Sequence, residues 1–101
     1  MSKTKHRVAI IGCGRLGQQY ATAYSTYPDT EIVAIAELNE ERRKAVGKRF
    51  GVKALNPDAH ALLKDIVPDI GVVVTPTKHM KEAVIACAEA GVKGVSTDKP
   101  I

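Results

Sequence analysis

Val8-Ala9-Ile10-Ile11-Gly12-Cys13-Gly14-Arg15-Leu16-Gly17 decides how this chain folds. Residues 8–11 form an unbroken β-branched and small apolar run, as expected of a strand buried on both faces of a parallel sheet. A glycine-spaced turn follows, and the sequence beyond it carries helical periodicity. The pattern Gly-x-Gly-x-x-Gly between strand and helix, with the acid Glu37 twenty residues beyond Gly17, predicts a dinucleotide site.

Each glycine meets a separate demand. Gly12 permits a sharp strand-to-helix turn, Gly14 lets a pyrophosphate approach the backbone, and Gly17 lets the helix pack closely on the strand. The helix beginning near Arg15 then directs its free N–H groups and positive dipole end at the phosphates. Gly12, Cys13, Gly14, Arg15, Leu16 and Gly17 are therefore the first set of candidate cofactor contacts.

Working outward, the first helix places Leu16, Tyr20, Ala23, Tyr24 and Tyr27 on one apolar stripe, and Pro28-Asp29 ends it. Residues 31–36 form a second strand closed by Glu37. Asn39 caps a second helix that runs to about Phe50, and Gly51 stops it. Residues 52–55 predict a short third strand, followed by Asn56 as a cap with Pro57 at the first helical position. Ala59, Leu62, Leu63 and Ile66 give a short third stripe. Residues 70–74 are the clearest buried strand, leaving through Thr75-Pro76-Thr77. Met80, Ala83, Val84, Cys87 and Ala88 share one face of the next helix, which Gly91 ends before a fifth strand at residues 94–97.

This alternation predicts an α/β fold, with right-handed crossovers giving a doubly wound, Rossmann-like parallel sheet of strand order 3-2-1-4-5. Ligands bind outside the carboxyl ends of such strands, at the switch point between the first and fourth. The ends of strands one, two, four and five carry the glycine loop, Glu37, Thr75 to Thr77, and Asp98.

Composition narrows the function. The 101 residues suit one domain, and the net charge of +4 is dispersed along the chain. With three tyrosines, one phenylalanine and no tryptophan, stacking platforms are scarce and nucleic-acid binding is not indicated. No apolar run approaches a membrane span, and residues 1–7 lack a signal-peptide pattern, so a cytoplasmic protein is expected. Cys13 and Cys87 lack metal or disulfide spacing and read as reduced, packed thiols; His6, His60 and His79 also lack ligand spacing, so no metal site is expected.

With the glycine loop, Glu37, Thr75-Pro76, Ala88-Glu-Ala-Gly91 and Asp98-Lys99-Pro100 assembled, the chain resembles the N-terminal dinucleotide-binding domain of the Gfo/Idh/MocA oxidoreductases. The resemblance covers nearly the whole chain and implies a further, substrate-binding domain in the full enzyme. It also implies that Lys99, matching the lysine of the family's Glu-Lys-Pro motif, is the catalytic residue that binds substrate and transfers a proton beside the nicotinamide. Pro100 restricts Lys99 to extended backbone, which fits that role. Thr75, Pro76, Thr77 and Asp98 join the implied cofactor contacts. Asp98 is one methylene shorter than the usual glutamate, and the family's frequent histidine four residues after Pro76 is Met80 here. His79 is adjacent, but neighbouring helical residues point about 100° apart, so Met80 reads as core or pocket wall.

Glu37 suits the ribose hydroxyls of NAD and repels the 2′-phosphate of NADP, so NAD is the expected cofactor; Arg42 and Arg43 read as weak surface pairs along the second helix. The leading expectation is the cofactor domain of an oxidoreductase acting on a sugar, polyol or related hydroxy compound, inactive without its second domain. The alternatives are a non-catalytic NAD-binding sensor or partner-assembled module, and a methyltransferase, against which Gly17 and the Asp-Lys-Pro ending argue. A sheet edge and apolar surface left uncovered after the fifth strand predict self-association or marginal stability.

Overall fold

The structure, a computed structural model, describes residues 5–75 and 77–97, apart from the side chains of Thr77 and Lys78. Nine elements alternate as expected: β1 (His6–Ile11), α1 (Arg15–Thr26), β2 (Thr30–Ala36), α2 (Glu40–Phe50), β3 (Ala54–Asn56), α3 (Ala59–Asp65), β4 (Ile70–Val73), α4 (Thr77–Ala90) and β5 (Gly94–Thr97). The five strands form one parallel sheet in the order β3-β2-β1-β4-β5. The β1/β2 ladder shifts register between Val8 and Ala9, and regains alignment at Ala9 opposite Ala34.

Alternation along the central strands feeds two cores. Val8, Ile10, Ile35 and Val72 pack with Ala21, Val46 and Val52 beneath α1 and α2. On the opposite face, Ala9, Ile11, Ala34, Ala36 and Val73 pack with Leu62, Ala83 and Cys87 from α3 and α4. Side chains of β1 and β2 are thus large on one face and mostly alanine on the other. Small residues leave room, and the room lies above the α3/α4 half of the sheet.

Helix ends follow local chemistry. Asn39 Oδ1 accepts from the Arg42 N–H, and Gly51, at φ 67°, donates its N–H to the carbonyls of Gly47 and Lys48. These are the cap and stop read from sequence.

Four local expectations are corrected. Asn56 is the last residue of β3, paired with Ala36, and its carbonyl accepts from the Glu37 N–H; the α3 cap is Asp58, whose Oδ1 accepts from the Ala61 N–H at 2.8 Å. A residue held in a sheet ladder cannot also begin the helix, so the strand runs over 54–56 instead of 52–55, the cap moves two residues on, and Pro57 precedes the helix, which starts at Ala59. In α1 the inward face runs through Gly17, Tyr20, Ala21 and Tyr24, while Ala23 and Tyr27 are exposed, because α1 ends at Thr26 and leaves Tyr27 outside the last turn. In α4 Ala86 is buried and Ala88 exposed. Finally, β4 stops at Val73, one residue early, although the Val74 N–H still donates to Ile11.

Candidate dinucleotide site

The site is built where β1 and β4 lie side by side. Gly12 leaves β1 at φ 99°, a conformation that favours glycine, and a Cβ there would stand 2.8 Å from the Val74 carbonyl oxygen. The two strand-end loops therefore touch through bare backbone. A Cβ on Gly17 would collide with the Gly12 carbonyl oxygen, so the third glycine sets how closely α1 packs on the turn. Gly14 is different: nothing lies within 4 Å of the place its Cβ would occupy, and its backbone is extended. It caps α1 with no side-chain hydrogen bond, and no acid occupies the first turn. Open space above an uncapped helix start fits an approaching anion.

Glu37 reaches into this loop from β2. Its Oε1 accepts from the Cys13 N–H at 2.8 Å, and its Oε2 accepts from the Asn39 N–H at 3.0 Å. The side chain is only 10% exposed, with Arg42 Nη1 3.6 Å from Oε2. Arg43 donates from Nη1 to the Glu37 carbonyl oxygen at 2.8 Å. Both arginines expected to form surface pairs thus gather around the acid, because the Asn39 cap turns the first turn of α2 back over the end of β2.

Cys13 is fully buried, forms no disulfide, and donates from Sγ to the Ala36 carbonyl oxygen at 3.9 Å. Burial, reinforced by the Glu37 carboxylate and opposed by Arg42, pushes its thiol up to about 12. At neutral pH the thiol is held protonated, which removes the thiolate a nucleophile needs. Among the described residues, no group of three or more His, Cys, Asp or Glu side chains could hold a metal ion.

A cavity of about 270 Å³ opens on the alanine-rich face at the same sheet edge. Gly12, Glu37 and Thr75, all expected at the site, line it. Among the described residues, Thr75 Oγ1 is buried without a hydrogen-bond partner. Leu38, Pro57, Asp58, His60, His79 and Glu82 also line it and were not expected there. The strand order was the available signal: β3 beside β2 brings the β3–α3 loop to the same edge as Glu37. His79 faces the cavity, while Met80 packs against the core. Arg15 and Leu16 open α1 beside the loop, with Arg15 also lining a shallow outer groove with Gln18 and Arg49. Pro76, the Thr77 side chain, Asp98 and Lys99 lie outside the described residues.

An order 3-2-1-4-5 sheet with a glycine turn, an open helix start and an acid fixed beside them defines a Rossmann-type nucleotide-binding domain. The Gfo/Idh/MocA family, described as an oxidoreductase family with an NAD-binding Rossmann fold, matches residues 6–101, and the chain belongs to that family. It is 34% identical to the myo-inositol 2-dehydrogenase of Thermotoga maritima over 94% of this chain and 28% of that protein. It is 31% identical to the D-glucoside 3-dehydrogenase of Escherichia coli over 99% of this chain and 28% of that protein. The solved WlbA dehydrogenase of Bordetella pertussis, in complex with NADH and UDP-GlcNAcA, superposes with a TM-score of 0.87 at 27% identity, over 95% of this chain and 30% of that one. The chain spans less than a third of the length of these relatives.

Among the described residues, no helix is long and apolar enough to cross a membrane.

Proposed function

We propose that this chain is the cofactor-holding part of an NAD-dependent dehydrogenase that oxidises or reduces a sugar, polyol or related hydroxy compound. The observation that carries this reading is the Glu37 carboxylate fixed beside the open backbone at Gly14. Gly14, Arg15 and Leu16 would hold the pyrophosphate with backbone N–H groups, and Glu37 would accept hydrogen bonds from the adenosine ribose hydroxyls. The buried Thr75 hydroxyl, without a partner among the described residues, would supply a donor and acceptor on the opposite loop. When bound, the nicotinamide supplies hydride chemistry. Lys99 follows β5 in sequence, and its ammonium would orient and polarise a substrate hydroxyl or carbonyl while exchanging a proton with it. Substrate choice belongs to the second domain that the family resemblance implies.

Calorimetric titration with NADH and NADPH tests the reading. Binding of NADH in preference to NADPH is expected, and binding of neither overturns it. Joined to the C-terminal domain of an inositol dehydrogenase, Lys99→Ala is expected to abolish turnover while retaining NADH binding.

A further inference from the structure

The surroundings of Glu37 divide its cofactor preference between two residues. The carboxylate is nearly buried and both oxygens are committed to backbone N–H groups, so it cannot swing aside for a second anion. Arg42 is built the other way. Its side chain is half exposed, and at 3.6 Å its guanidinium sits beyond a good hydrogen bond to Glu37. The neighbouring cations are tied elsewhere: Arg43 donates to the Glu37 carbonyl oxygen, and Lys44 pairs with Glu40 at 3.1 Å. Asn39 anchors Arg42 by its backbone N–H, leaving the guanidinium to move without unwinding α2. A planar, multi-donor cation beside the acid that meets the adenosine ribose has the chemistry to take a 2′-phosphate.

We propose that Arg42 is the second half of the cofactor selector, turning from Glu37 to the 2′-phosphate of a phosphorylated dinucleotide and so keeping the preference for NAD over NADP small. This rests on the reading of Glu37 as the ribose-binding acid. Glu37 sets the sign of the preference; Arg42 limits its size. Glu40 and Glu41, in the same first turn of α2, oppose the phosphate and keep NAD ahead.

The test uses ADP-ribose and 2′-phospho-ADP-ribose, which differ only at the contested position, titrated calorimetrically into the unmodified chain and into Arg42→Ala, Arg42→Lys and Lys44→Ala. Arg42→Ala is expected to weaken the 2′-phosphorylated ligand about tenfold, as loss of one charge-assisted contact in a half-solvated site does, and ADP-ribose by less than about threefold. Arg42→Lys falls between, and Lys44→Ala, which removes the same charge two residues on, leaves the ratio unmoved. Equal weakening of both ligands by Arg42→Ala, or an equal shift of the ratio by Lys44→Ala, overturns the proposal. Binding of neither ligand by the unmodified chain is a different result, because it overturns the ribose reading of Glu37 as well.

Discussion

The Glu37 carboxylate accepts a 2.8 Å hydrogen bond from the backbone N–H of Cys13, so the acid closing β2 also fixes the glycine loop closing β1. Twenty-four residues apart in sequence, the two are adjacent because β1 and β2 are paired neighbours. Glu37→Ala strands that N–H and the one on Asn39, and is expected to cost about 1–3 kcal/mol in urea denaturation. Glu37→Gln keeps an acceptor oxygen and is expected to cost less. Equal stability of Glu37→Ala and the unmodified chain would show that the clamp does not form in solution.

The glycines separate stability from binding. Gly17→Ala drives a methyl group into the Gly12 carbonyl oxygen and is expected to cost about 3 kcal/mol or more. Gly14→Ala meets only open space on an extended backbone, so stability should stay within about 0.5 kcal/mol. Its methyl group nevertheless stands in the phosphate approach, and NADH affinity should fall at least about tenfold. Thermal melts and calorimetry on both variants check the contrast.

Cys13 should resist alkylation by iodoacetamide at pH 8 until the chain is unfolded, since burial keeps its thiol protonated. The same shift has a pH signature. The thiol ionises near its ordinary 9.0 when unfolded but near 12 when folded, so its contribution is fully present below pH 9 and is lost as pH rises toward 12. The loss approaches about 1.4 kcal/mol per pH unit in that window. Cys13→Ala should flatten the stability profile above pH 9, and an unchanged alkaline slope would refute the burial argument.

Asp58→Ala removes the side-chain acceptor for Ala61 N–H and is expected to cost about 1 kcal/mol. Asn56→Ala should cost less, because its buried Nδ2 has no partner among the described residues to lose. Guanidinium titrations of the two variants distinguish the cap seen in the structure from the one its sequence favours.

Much of this arrangement was legible because it rests on local rules. Residues 8–11 carry their strand preference in their own side chains, Gly12 and Gly51 reach positive φ because they have none, and the strand order followed from crossover handedness. The strand-end loops could be placed on one edge for the same reason. What escaped was set by pairing between distant residues. Asn56 looks like a cap until Ala36 claims it for the sheet. Tyr27 fits the α1 stripe until the helix ends one residue before it. Arg42 and Arg43 read as surface charges because nothing local announces that their turn folds back over Glu37. His60 and His79, from α3 and α4, meet at the cavity only through the packing of those helices.

The alanines at positions 36, 59 and 83, which line the cavity, have a consequence for how tightly occupancy and folding are linked. On the α1/α2 side the core is filled by valine and isoleucine, whereas the cavity opens at the outer end of the α3/α4 layer. A ligand held there would bury the lining of that half alone, so binding is expected to slow amide exchange in α3 more than in α1 or α2.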